Sequence, residues 1–327
     1  MLARLCGKYN VPGMGAAVVN SSGLLSCGVS GVRKRGNTVP VTIDDQWHLG
    51  SCTKAMTAIL VARCVDAEML SWDSTLCNVL PEVPLTWSTV TLEHLLSHQA
   101  GAPPDINWRK AGSRQAAVRT IAASPPLHPA GSAFEYSNCG YVLAGAMVER
   151  VYGRSWEELV VDEVWRPLGM VRGGFGGMGK ICQVDQPWGH LANGSVAGNG
   201  PAADNAHVLG PAGRAHMPLG DWARFVTDQL VGLRGQEALV SSTGYCPLQT
   251  IPDGSYVRGW RVLSRTWAGT TGASKVLTHN GSNTMHYACV WIAPNIDLAL
   301  FVCCNQGGAT EACNSAMTEL LKMCKKL

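Results

Sequence analysis

Ser51-Cys52-Thr53-Lys54 follows Trp47-His48-Leu49-Gly50 and opens an apolar run from Ala55 to Val65. That run predicts a helix reaching about Ala67. On a helix, a three-residue spacing puts the serine hydroxyl and the lysine amine on one face. No other serine in the chain stands three residues ahead of a lysine. A serine alone is a poor nucleophile and a lysine alone is a cation, but together they can carry out acyl transfer. A chain of 327 residues contains about one such tetrapeptide by accident, so its meaning depends on its surroundings.

Working outward, Leu2 to Tyr9 reads as a short helix stopped by Pro12-Gly13. Met14–Val19 and Leu24–Val32 read as strands of a hairpin around Asn20-Ser21-Ser22-Gly23. A helix over Leu92–Ser97 ends before Gly101 and Pro103-Pro104. Helix and loop then alternate to about Leu233, with helices at Tyr141–Val151, Trp156–Val164 and Leu219–Leu230. The β character returns in Tyr256–Leu263, Lys275–His279, Tyr287–Ala293 and Leu298–Cys303, and Ala309–Met323 closes as a helix. Strands at both ends predict an α+β architecture: residues 1–60 and 245–327 build one antiparallel sheet flanked by helices. Residues 61–244 form a mainly helical insert, and the ligand site falls in the cleft between.

Composition bounds the function. With 46% apolar and 15% charged residues the chain is globular. A net charge of +3 is carried by scattered basic residues, with no stripe suited to nucleic acid. Arg33-Lys34-Arg35 and Lys325-Lys326 read as solvated loop and tail. Thirteen cysteines cannot all pair internally, and none forms a C-x-x-C motif. They read as small core residues in a reducing compartment. The start of the chain lacks the apolar stretch of a signal peptide, and no segment has the length and apolarity of a membrane span. A cytoplasmic protein is the expectation, and the oligomeric state is not legible.

Several motifs can be set aside. Gly174-Phe175-Gly176-Gly177-Met178-Gly179 fits the dinucleotide fingerprint in letters, but it follows a helix where a strand is required. It reads as a loop. The serine-hydrolase elbow G-x-S-x-G is absent. None of the nine histidines lies in a zinc-binding pattern, so no metal or organic cofactor is called for.

Two further motifs give the tetrapeptide its context. Tyr136-Ser137-Asn138 is the chain's one Tyr-x-Asn, and His279-Asn280-Gly281 ends a predicted strand and is followed by Ser282. In this order the three motifs resemble the class C β-lactamase and penicillin-binding-protein family of serine hydrolases, which includes D-aminopeptidases and carboxylesterases. Val11-Pro12-Gly13, Leu95 to Gly101, and Gly210-Pro211-Ala212-Gly213 ahead of Asp221 to Phe225 are similar to other segments of that family. The resemblance spans nearly the whole chain. It implies the β-lactamase/transpeptidase-like fold, with Ser51, Lys54 and Tyr136 as catalytic residues. By the same resemblance Asn138, His279, Asn280, Gly281 and Ser282 are expected to bind substrate, with the backbone N–H groups of Ser51 and Ser282 holding the oxyanion.

Chemistry then requires an acceptor for the Ser51 proton. Lys54 and Tyr136 both have ordinary pKa values near 10, so one of them must be tuned by its surroundings. Tyr136 is favoured as the base, with Lys54 holding the proton balance, although the two titrate as a pair. Gly281 is expected to keep the strand edge clear for substrate. Cys52 points about 100° away from Ser51 on the helix and is not the nucleophile. His98 reads as a structural residue.

His279 stands where β-lactamases carry lysine. A neutral imidazole holds a substrate carboxylate poorly, and Asp105 in the loop after Gly101 further repels anions. The expected activity is therefore that of a carboxylesterase on small esters. A β-lactamase, a D-amino-acid peptidase or amidase, or an acyltransferase uses the same residues. A non-catalytic scaffold of this fold is the alternative of another class.

Overall fold

The computed structural model describes residues 1–246, 248, 250–269 and 272–325. In chain order its strands are β1 (Gly13–Asn20), β2 (Gly23–Gly31), β3 (Gln46–His48), β4 (Gly174–Phe175), β5 (Gly189–His190) and β6 (Val196–Gly198). They continue with β7 (Ala215–Pro218), β8 (Tyr256–Val257), β9 (Trp260–Arg265), β10 (Ser274–Ser282), β11 (Tyr287–Ala293) and β12 (Leu298–Cys304). Seven of these form one sheet in the order β2-β1-β12-β11-β10-β9-β8. Every neighbouring pair in it is antiparallel. The first and last segments meet inside the sheet, from Met14 opposite Cys304 to Val19 opposite Ala299.

Side chains alternate between two apolar faces, which is why the central strands read as unbroken apolar runs. Met14, Ala16, Val18, Leu300 and Val302 pack against the terminal helices Leu2–Tyr9 and Thr310–Cys324. Ala17, Val19, Phe301 and Cys303 face the larger core, which includes helices Thr53–Asp66 and Leu219–Leu233. The Thr53–Asp66 helix is buried at every position from Thr53 to Ala62. A helix apolar on all sides belongs in the middle of a molecule, and this one lies between the sheet side and the Asn138–Tyr152 helix. The latter starts where Ser137 accepts the Gly140 N–H and stops at Gly153, whose φ of 67° suits a left-handed cap.

Four readings from the sequence change. Tyr256–Leu263 is a tight hairpin, not one strand, because Arg258 and Gly259 both take positive φ (49° and 88°). Residues 61–244 do not stay apart from the sheet, since the Leu219–Leu233 helix packs on β1 and β2. That segment also holds strands: β7 and β4 make a small sheet with β3 from the preceding segment, and β5 pairs with β6. Strands of two to four residues are too short for alternation to reveal. Arg33-Lys34-Arg35 is not simply solvated. Arg33 Nε bonds both Asp45 oxygens (3.1 and 2.9 Å), Lys34 Nζ lies 3.7 Å from the Trp188 ring centroid, and Arg35 bonds Asn10 Oδ1 at 2.8 Å. Lys325 is exposed, and Lys326 lies outside the described residues.

The glycine-rich segment is structural. Gly174-Phe175 pairs with β7, and the Phe175 ring stacks on Trp165 at 4.8 Å. None of the thirteen cysteines is in a disulfide, and nine are buried, in keeping with their reading as core residues. No helix among the described residues is long and apolar enough to cross a membrane.

Candidate active site

Ser51 occupies a 3₁₀ turn, Gly50–Cys52, that leads into the Thr53–Asp66 helix. Two glycines let this turn lie directly on β10. Gly50 has φ +50°, and a Cβ there would sit 2.2 Å from Ser282 N. A Cβ on Gly281 would sit 1.9 Å from Leu49 O and 2.8 Å from Ser51 N. The contact places the Ser51 and Ser282 N–H groups around one spot, where an oxyanion would be held. Gly281 therefore makes room for the Leu49–Ser51 turn, which corrects the expectation that it clears a path for substrate. The strand edge is left open for another reason. β9 pairs with β10 only from Ser274 to Thr278, whereas β10 continues to Ser282 against β11.

Lys54 is fully buried, and its Nζ has three polar neighbours: Ser51 Oγ at 3.1 Å, Asn138 Oδ1 at 2.7 Å and Ala212 O at 2.7 Å. Burial lowers its pKa to about 7, against a smaller opposing pull from Asp105. Tyr136 meets the same serine: Ser51 is its hydrogen-bonding neighbour, and the Lys54 ammonium position is 4.9 Å from its ring centroid. Alcohol, amine and phenol thus converge, although they are drawn from distant parts of the chain. Burial raises the phenol's pKa more than the Ser51 hydrogen bond lowers it. That direction is opposite to the one a tyrosinate base needs.

Asn138 begins its helix and spans two charges. Its Oδ1 accepts from Lys54, and its Nδ2 donates to Asp105 Oδ1 at 2.9 Å. Asp105 lines the cleft as expected and also accepts from Trp108 Nε1 at 2.8 Å.

His279 is buried. Its Nδ1 lies 2.6 Å from the Asn280 carbonyl, so that nitrogen carries the proton and donates. Its Nε2 then accepts from the Tyr256 hydroxyl at 2.9 Å. Burial, with the Lys54 charge adding to it, lowers the imidazole pKa to about 3. His279 is a neutral wall residue with both nitrogens engaged. Asn280 is exposed beside it, and Ser282 Oγ donates to His286 O at 2.7 Å.

His98 is structural, as read. It takes φ 59°, its Nδ1 accepts the Ser137 N–H at 3.1 Å, and its ring packs 4.3 Å from those of Tyr136 and Tyr256. Cys52 is buried with its thiol directed to His279 O at 3.7 Å, and burial raises its pKa. It is neither exposed nor ionised, so it is no nucleophile.

Two features lie outside the sequence reading. Tyr256 was hidden by the hairpin turn. Asp204, in a loop no motif marks, has a buried carboxylate that lies 3.0 Å from His48 Nε2 and accepts from Asn283 Nδ2 at 2.8 Å. His48 Nδ1 in turn accepts the Gly50 N–H at 3.0 Å. Burial opposes the Asp204 charge, but His48 and the Asn283 and Asn205 hydrogen bonds outweigh it and hold its pKa at about 2.

Two cavities adjoin the site, one lined by Ser51 and the other by Tyr136. One of about 310 Å³ is lined by Ser51, Asp105, Trp108, Asn138, Gly213 and Ser282, among others. It shares Trp108, Asn205, Leu209, Asn283 and Thr284 with a further groove of about 580 Å³. The other, of about 280 Å³, is lined by Phe134, Tyr136, Tyr256, Arg261, Thr278, His279 and Asn280.

A serine, a buried amine and a phenol thus meet at the end of an antiparallel sheet. The sequence profile of the Beta-lactamase family matches residues 1–321, and the chain belongs to that family of serine hydrolases. Penicillin-binding protein 4 of Amycolatopsis lactamdurans is 26% identical over 335 residues, covering 96% of this chain and 86% of that protein. Unguisins hydrolase ungD' of Aspergillus campestris is 24% identical over 96% of this chain, which spans 61% of that longer protein. The D-alanine carboxypeptidase AmpC of Burkholderia cenocepacia superposes with a TM-score of 0.77 at 18% identity, covering 97% and 96% of the two chains. That likeness shows the shared β-lactamase/transpeptidase-like fold.

Proposed function

We propose that this protein hydrolyses small esters through an acyl-enzyme on Ser51. The observation that carries the reading is the surroundings of Lys54 Nζ. Two of its three neighbours, Asn138 Oδ1 and Ala212 O, can only accept hydrogen bonds. A neutral amine spends its two N–H groups on them and turns its lone pair to the third neighbour, the Ser51 hydroxyl. Lys54 is therefore the base that takes the Ser51 proton, which revises the preference for Tyr136. The phenol, kept protonated by burial, is a donor that passes a proton to the leaving group. The Ser51 and Ser282 N–H groups stabilise the oxyanion, and water then attacks the acyl-enzyme by the reverse proton path. Tyr136 lines the 280 Å³ cavity and not the 310 Å³ one, so the leaving group belongs in the former and the acyl group in the latter.

Neutral His279 offers no cation to the carboxylate of a penicillin or cephalosporin, which favours esters over β-lactams. Arg261 favours a second reading, a peptidase or amidase. It lines the leaving-group cavity, and its guanidinium has no hydrogen-bond or ion-pair partner among the described residues. A leaving group with a carboxylate set further out would meet it there. Hydrolysis of short-chain p-nitrophenyl esters beside a chromogenic cephalosporin tests the ranking. Ester turnover that Ser51→Ala abolishes is expected, and cephalosporin cleavage without ester turnover would overturn it. A scaffold without turnover would cleave neither, and the convergence on Ser51 speaks against it.

A further inference from the structure

We propose that the acyl half of the cleft selects substrates carrying a positively charged amine, with Asp105 as the counter-ion. The inference rests on the acyl-enzyme reading above and names the substrate class that this half would take. Asp105 lines the 310 Å³ cavity together with Ser51. Its Oδ1 is fixed by two neutral donors, Asn138 Nδ2 at 2.9 Å and Trp108 Nε1 at 2.8 Å. Its Oδ2 has no hydrogen-bond partner, and no lysine or arginine pairs with this carboxylate, among the described residues. An oriented carboxylate with one free oxygen is a receptor for an ammonium, and the Trp108 indole beside it adds an electron-rich face.

The other charges nearby leave this role open. Lys54 is separated from Asp105 by the Asn138 amide, which bonds both. Arg109 lies in the adjoining groove without bonding Asp105, and Asp204 there is already held by His48, Asn283 and Arg214. The arrangement also has a consequence for the chemistry. Unpaired, Asp105 raises the proton affinity of both Lys54 and Tyr136, which works against a neutral Lys54. An ammonium bound at Asp105 cancels that field, so the charged substrate both fills the site and favours the active form of the base.

The test compares benzyl esters of 2-aminopropionate (both enantiomers) and 3-aminopropionate with benzyl propionate at pH 7 and low salt. Each pair differs only in an ammonium replacing hydrogen. The ratio of their kcat/KM values does not depend on how much of a variant is folded. Wild type is expected to favour an aminoacyl ester about tenfold, with the preference shrinking as salt is raised. Asp105→Asn should bring the ratio near one, and Asp105→Lys should invert it. Ser51-dependent turnover of propionate with no preference for either amine, or a preference unchanged in Asp105→Asn, overturns the subsite and leaves the acyl-enzyme reading standing. No turnover of any of these esters overturns both.

Discussion

Asn283 donates a 2.8 Å hydrogen bond to Asp204, and the same carboxylate oxygen lies 3.0 Å from His48 Nε2. His48 holds the Gly50 N–H, one residue before the nucleophile, and Asn283 follows Ser282. One buried charge therefore ties together the two backbone pieces whose N–H groups are proposed to face the oxyanion. In the proposed reaction this makes Asp204 a positioning residue. Asp204→Asn is expected to lower kcat about tenfold to a hundredfold with KM little changed, because the donors matter most when negative charge develops. Affinity for a boronic acid that mimics the tetrahedral state should fall in parallel. A folded variant with unchanged kcat and boronate affinity would contradict this role.

Lys54 makes a prediction in pH. If its neutral amine is the base, kcat/KM rises with pH and levels off above about 7, the value to which burial lowers its pKa. The same shift appears in stability. The folded pKa lies below the ordinary value of 10.5, so the unfolded chain binds the extra proton and stability rises with pH between about 7 and 10.5. Below that window the buried ammonium costs about 5 kcal/mol. Lys54→Met should lose more than about 10³ in kcat/KM, yet be no less stable than wild type in urea at pH 6. It should also lose the rise in stability seen for wild type on going to pH 9. A wild-type rate that is flat from pH 5.5 to 8.5 would remove Lys54 as the base.

The Tyr256–His279 bond defines the wall of the leaving-group cavity. Tyr256→Phe leaves the buried Nε2 acceptor without a donor, and the expected loss of stability is about 1–3 kcal/mol, read from urea midpoints. His279→Lys returns a cation to the first position of the triplet and should raise the rate on carboxylate-bearing esters relative to neutral ones. Equal ratios in the variant and wild type would take His279 out of the selectivity argument.

What could be read in advance follows from how local each signal is. Ser51 and Lys54 share one turn of chain, and the strands Tyr287–Ala293 and Leu298–Cys304 announce themselves as apolar runs. The family's motif order then brought in Tyr136, Asn138 and Ser282 across long separations. Nothing local marks Asp204, which acts on His48 from 156 residues away and is visible only once both are buried together. Tyr256 was lost in a strand reading that ran through Arg258-Gly259. The glycine there has a packing reason as well, since a Cβ would fall 2.5 Å from Ala55 Cα. The direction of the Tyr136 shift was likewise out of reach, because it depends on how completely neighbours such as His98 and Tyr256 bury the phenol. Residue types could name the pair of candidate bases, but only burial could rank them.

Acylation of Ser51, with Lys54 taking its proton, is open to direct measurement. Intact-protein mass spectrometry after brief exposure to a fluorophosphonate or a slow ester substrate, followed by peptide mapping, measures the first part directly. One added group is expected, on the peptide holding Ser51, lost in Ser51→Ala, strongly slowed in Lys54→Met and unaffected in Cys52→Ala. Label on any other residue, or equal labelling of Ser51→Ala, would contradict it.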